Sequence, residues 1–353
     1  MIDRALTQRI ANAVARGVPA AGRTEDPAPT TVPGDLVAIC TDAQLRVVTY
    51  TGLRPRVPLP VPEAVARPSW IAANVNSMGA ILDPVADKLA AGGMLPAAAR
   101  KAGGLLLSAE AGALTGYLSQ RVLGQFEFVI VDPQSPARLL FVEPNIARAA
   151  VRLQADPEEL LTWIAFHEVT HAVQFTAVPW LRPYLAGLLR ELLDSLEMKV
   201  DARALLKLPT IEDVRETVGA LKERGLVAAI GGPRQRELLD RVQGVMGVIE
   251  GHAEHVMDVV GADALPSLAD LRAALDRRRN ERPPLIALLE RLIGLDQKMR
   301  QYEDGKRFCD AVAKAGGPAA LHRVFDGPEQ LPTVAELHDP EAWMRRTGAP
   351  AMA

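Results

Sequence analysis

His167-Glu168-Val169-Thr170-His171 lies in an apolar run that begins behind Asp156-Pro157-Glu158-Glu159. Four residues of α-helix turn through about 400°, so His167 and His171 stand one above the other on a single face. That is the spacing of two zinc ligands. Glu168 sits about 100° round from His167, off the metal but within reach of a water bound to it, where a carboxylate works as general base. The flanks predict the helix itself. Asp156 suits the N-cap, Pro157 the first turn and Glu158 and Glu159 the positive helix end, while Leu160, Leu161, Ile164 and Phe166 supply apolar mass. Read without a metal, the same five residues are a buried helix whose histidines hydrogen-bond.

A second motif, Glu250-Gly251-His252-Ala253-Glu254-His255, brings the two segments to four of the six histidines in the chain. Leu238, Leu239, Val242, Val245, Met246 and Ile249 predict one helix over 235–260, on which Gly247, Glu250, Gly251, Glu254 and Asp258 share a stripe. Two glycines beside three acids predict a close helix approach. Glu250 is then the candidate third ligand. Glu254, one turn on, with Asp258 beyond it, is the candidate acceptor that orients a ligating imidazole through its other nitrogen. His252 and His255 point more than a quarter turn away, so they are read as contacts to substrate or transition state. The metal-free alternative is an acidic solvated face with two incidental histidines.

Other metal arrangements fit less well. A metzincin extension wants Gly and His where Gln174 and Ala177 stand, and a di-iron bundle wants a second Glu-x-x-His, which neither His252 nor His255 completes. Cys40 and Cys309 are too far apart in sequence for a Cys-x-x-Cys structural zinc site.

The segments Arg121 to Phe126, Glu143 to Ile146, Phe166 to Gln174, Ile249 to Asp258 and Lys298 to Tyr302 resemble, in this order, the actinobacterial zincin-like metallopeptidase family, type 2. Members are often labelled deazaflavin-coenzyme biosynthesis-associated proteins, a label that reflects gene neighbourhood; nothing in these residues shows deazaflavin chemistry. The resemblance runs from about residue 35 to about residue 345. It implies a gluzincin-like zinc hydrolase with one zinc per chain, His167, His171 and Glu250 as ligands and Glu168 as catalytic acid/base. One departure stands out: thermolysin-like gluzincins carry Asn before the ligand Glu and Asp four residues after it, where this chain has Ile249 and Glu254.

Composition bounds the rest. A 353-residue chain with 48% hydrophobic and 24% charged residues and a formal charge of −3 has ample core material and no general pull toward nucleic acid. Arg277-Arg278-Arg279 reads as the solvated end of a helix opened by Ser267 and Asp270. Met1 to Val18 reads as an amphipathic helix without a signal-peptide core. Gly103 to Leu118 is too short to span a bilayer and reads as a buried helix. No membrane partner, a cytoplasmic location and a reducing compartment are the expectations.

Helical patterns dominate, with Pro/Gly-rich linkers expected at 19–34 and 54–68 and further helices at 180–207, 211–224, 267–279 and 284–315. Gln125 to Val131 and Arg138 to Val142 read as a β-hairpin or small sheet before the zinc helix, and the Arg138 to Glu143 strand as an edge open to an extended peptide. The expected fold is therefore mainly α with a small sheet and a zincin-like core. Its expected organisation is an N-terminal helical region over 1–120 and a catalytic domain over 121–350, with one continuous globular unit as the alternative. The expected activity is cleavage of an amide bond in a peptide or small substrate. Candidates to stabilise the oxyanion are His252, His255, Arg300 and Tyr302. Two alternatives stay open: a metal-bound regulatory protein without turnover, and an amidase acting on a small metabolite.

Overall fold

The computed structural model describes residues 3–17, 34–91, 97–127, 130, 132, 135–195, 233–280 and 295–350. The chain divides into two compact units, the first built within Met1–Val48, Arg54–Thr176 and Gly261–Leu271, the second within Thr49–Leu53, Ala177–Val260 and Arg272–Ala353.

In the first unit, α1 (Arg4–Gly17) lies along α4 (Ala97–Leu118). The approach depends on small residues: a Cβ at Gly112 would meet the Thr7 carbonyl at 2.6 Å, and one at Gly116 the Ala11 carbonyl at 2.5 Å. Ala11 joins Trp70, Ile71 and Val75 of α3 (Arg67–Ala91) in a core over the sheet residues Val65, Leu140 and Val142. The sheet holds three strands in the order β1-β3-β2: β1 (Pro62–Val65) parallel to β3 (Arg138–Val142), and β2 (Gly124–Glu127) antiparallel to it. Leu139 to Val142 are almost wholly buried, the continuous apolar run of a strand covered on both faces. Arg138 forks onto Glu63 of β1 at 2.9 and 2.6 Å, and that bond holds the Glu63 carboxyl below its usual range.

Two expectations change here. The stretch 54–68, read as a linker, contains β1, whose four residues gain strand structure from pairing with a distant segment rather than from local pattern. Arg138–Val142 is the central strand, paired on both sides, so it offers no edge to a peptide; Glu143 begins helix α5 (Glu143–Leu153) instead of closing the strand. The antiparallel pairing of β2 with β3 agrees with the expected hairpin.

Helix α6 (Pro157–Ala177) carries the first motif and is buried over most of its circumference. The second unit takes in α7 (Leu181–Ser195), α8 (Pro233–Ala262), α10 (Leu295–His322) and the short α11 (Val334–His338) and α12 (Pro340–Thr347). The end of α2 (Leu36–Thr51) and most of α9 (Leu268–Asn280) also belong to it. Trp343 anchors its C-terminal part, fully buried, edge-on to Phe308 and donating from Nε1 to the Gln330 carbonyl at 2.7 Å. The helix expected at 235–260 thus runs Pro233–Ala262, and that at 267–279 runs Leu268–Asn280. The helix expected at 211–224, and the expected residues 196–207 and 284–294, lie outside the described residues.

Candidate metal centre

Asp156 caps α6 as its sequence predicts: Oδ1 accepts from the Glu158 and Glu159 amides at 2.9 and 3.0 Å. The helix is so thoroughly enclosed that its polar side chains must be satisfied internally. Thr170 donates to the Phe166 carbonyl at 2.6 Å. Glu168, 8% exposed, accepts from the Phe126 amide of β2 at 2.9 Å on Oε2. His171 meets the side-chain oxygen of Gln174 at 3.0 Å through Nδ1, which leaves its Nε2 as the lone-pair nitrogen. That Nε2 faces the Nε2 of His167 at 3.1 Å. Two nitrogens bound tetrahedrally to zinc at about 2.0–2.1 Å sit about 3.3 Å apart, so the pair already has nearly the spacing of two ligands. In the first unit, His167 and His171 thus present two adjacent nitrogen donors of the kind a metal ion takes.

Glu250 rides on α8, whose neighbour α10 comes unusually close: a Cβ on Gly251 would stand 2.2 Å from the Gly305 carbonyl carbon, and one on Gly305 would stand 2.0 Å from the Gly247 carbonyl oxygen. The close approach predicted from Gly247 and Gly251 is therefore present.

His255 is held at both ring nitrogens. Nδ1 donates to Asp310 Oδ1 at 2.7 Å and Nε2 accepts from the Tyr50 hydroxyl at 2.7 Å. The chain continues from Asp310 to Lys306 at 2.6 Å, from Lys306 to Asp258 at 3.2 Å and from Asp258 to Arg272, whose guanidinium also reaches Glu254 at 3.4 Å. Burial alone would raise the Asp310 pKa, but the hydrogen bonds from His255 and Lys306 outweigh it and hold the carboxyl below its usual range. Burial, with Asp310 and Cys309 nearby, raises the Tyr50 phenol. His252 is fully buried, edge-on to Phe325 with centroids 4.9 Å apart and 6.4 Å from the ring of His322, whose own pKa burial lowers.

The candidate residues thus fall into four settings, one of them the aromatic contact of His252 with Phe325. His167 and His171 face each other, with Glu168 against β2; His255 is the middle of a hydrogen-bonded chain; Glu254 and Asp258 both meet Arg272. The side chains of Arg300 and Tyr302 lie outside the described residues. Sequence reading passed over Gln174, although a residue three positions after His171 lies on the same helix face and invites inspection as its partner. Tyr50 and Asp310 carry no local signal, since each meets His255 only through the fold.

Residues 2–344, nearly the whole chain, match the family described as zincin-like metallopeptidases. The chain belongs to that family. Zinc binding and hydrolysis are the chemistry this zincin-like family implies. A protein from Chloroflexus aurantiacus, whose crystal structure is described as that of a proposed hydrolase with a novel fold, is 28% identical, with 99% of each chain covered and a TM-score of 0.68. A search of the curated proteins found no match. No helix among the described residues of this zincin-like protein is long and apolar enough to cross a membrane.

Proposed function

We propose that the protein is a zinc-dependent hydrolase of metallopeptidase type, with His167, His171 and Glu250 as the ligands and Glu168 as general base. The observation that carries this reading is the facing Nε2 pair of His167 and His171 at 3.1 Å, with the Nδ1 of His171 already committed to Gln174. A zinc ion held there supplies Lewis acidity and lowers the pKa of a water it binds. Glu168 takes the proton of the attacking water and hands it to the leaving amine. Its burial keeps bulk water away from the carboxylate. The oxyanion is met by a donor from the His252, His255 and Tyr302 set; Asp310 and Tyr50 fix the His255 ring, and His255 serves only by giving up the Tyr50 hydroxyl at Nε2. Glu254 and Asp258 support α8 through Arg272.

A peptide substrate would be read by the outer edge of β2, because β3 is paired on both sides. Longer peptides then turn over better than small amides; a preference for the small amide would favour a metabolite amidase instead. Membership of an actinobacterial subgroup, and any tie to coenzyme synthesis, belong to this reading and rest on the sequence resemblance.

Metal content per chain decides the reading first. Wild type purified without added metal is expected to hold about one zinc, lost in His171→Ala and Glu250→Ala. Glu168→Gln is expected to keep the zinc and lose turnover. Unchanged turnover in that variant refutes the base, and a wild type that folds without metal refutes the centre.

A further inference from the structure

The carboxylate of Glu168 is seated by main chain, and we propose that the outward-facing backbone of Gly124 and Phe126 on β2 is the positioning group for the general base. The inference rests on the role given to Glu168 above. In an antiparallel pair, main-chain groups of alternate residues face the partner strand. The Leu123 carbonyl takes the Val142 amide on the β3 side, so 123 and 125 face β3 while 124 and 126 face away from it. On that outer edge the Phe126 N–H donates to Glu168 Oε2 at 2.9 Å.

Gly124 supplies the other half of the seat. A Cβ there would stand 2.6 Å from Glu168 Cγ, 3.0 Å from Glu168 Oε1 and 3.0 Å from Ile164 Cγ2. The clash falls on the middle of the glutamate side chain and on a β-branched neighbour, not on a free tip, so any side chain at 124 moves the carboxylate. Glu168 is thus held at its Cα by α6, at its Cγ by the bare backbone of Gly124 and at Oε2 by a charge-assisted hydrogen bond. Catalytic geometry is sensitive at this scale, since a displacement of about 1 Å costs about 100-fold in rate. The strand that the peptide reading uses as an edge also fixes the base, so Phe126 cannot offer its N–H to a substrate while Glu168 holds it.

The test begins with a readout that needs no turnover and no metal. Selective 15N labelling of phenylalanine gives at most seven backbone amide signals, one of them Phe126. In wild type the Phe126 amide proton is expected downfield and protected from exchange; in Glu168→Ala it moves upfield and exchanges at least about tenfold faster, the worth of a hydrogen bond to a charged group. An amide with the same shift and exchange rate in both proteins overturns the seat. Gly124→Ala is expected to bind zinc as wild type does while kcat falls about 100-fold with KM within about twofold. Wild-type kcat in that variant also overturns it. If wild type itself hydrolyses nothing, the hydrolase reading fails, and the Phe126 amide still decides whether β2 seats Glu168.

Discussion

Gly251→Ala probes the helix that carries Glu250, and its cost can be worked from the structure. The new methyl would stand 2.2 Å from the Gly305 carbonyl carbon, 2.4 Å from its oxygen and 2.6 Å from the Lys306 nitrogen, all main-chain atoms of α10. Ordinary contact begins near 3.4 Å, so α8 and α10 must part by about 1.2 Å or bend. No rotamer change relieves a clash between a Cβ and backbone. A radial gap of about 1 Å forfeits a quarter to a half of each dispersion contact along the crossing, where Val248, Phe308 and Cys309 are fully buried. Replacing a helical glycine by alanine recovers about 1 kcal/mol of propensity. Against overpacking of about 1–3 kcal/mol at a single methyl, and more where two backbones meet, the net expectation is a loss of about 1–3 kcal/mol. Urea denaturation followed by circular dichroism measures it: the midpoint falls at unchanged slope. A midpoint equal to or above that of wild type would mean that propensity outweighs packing and that the two helices do not touch as described.

Gln174→Leu removes the acceptor of the His171 Nδ1 proton, and zinc affinity measured by chelator competition is expected to drop about 10- to 100-fold with the fold intact; unchanged affinity removes Gln174 from the centre. Cys40 is buried, its thiol pushed up to about 12 by burial and then by the Glu168 charge, and burial also raises Cys309. Iodoacetamide at about pH 8 is therefore expected to label neither thiol until the protein is unfolded, and prompt native labelling of Cys40 would refute the burial. The folded Asp310 carboxyl titrates below its unfolded value, so its contribution is present above about pH 3.9 and is lost as pH falls through the folded value. Asp310→Asn should thus be less stable than wild type at neutral pH, with the gap narrowing as the pH falls below about 3.9. A gap that stays constant as the pH falls through the acid range would mean that the charge of Asp310 is not what stabilises.

Helices were legible because their causes are local. Asp156, the acids behind it and the apolar residues beyond predict where α6 begins, at Pro157, and the Gly247-Gly251 stripe announces the crossing with α10. Strands were less so. Pro62–Val65 sits among prolines and reads as linker because nothing within four residues shows that Leu139 to Val142 will pair with it. The same blindness made Arg138–Val142 an edge: its apolar run fits a strand enclosed on both sides as well as one at a margin, and only β1 on one side and β2 on the other settle its place.

At the candidate site, the sequence by itself determined the chemistry on offer: two imidazoles four residues apart on one helix with a glutamate between them, since the helix period converts spacing directly into a shared face. What only the tertiary structure decided is how each group is oriented. Gln174 is near in sequence, yet that it sets the His171 ring depends on a rotamer chosen by packing. Phe126 reaches Glu168 from 42 residues away and Tyr50 reaches His255 from 205, contacts that no periodicity encodes because they exist only once the chain has closed.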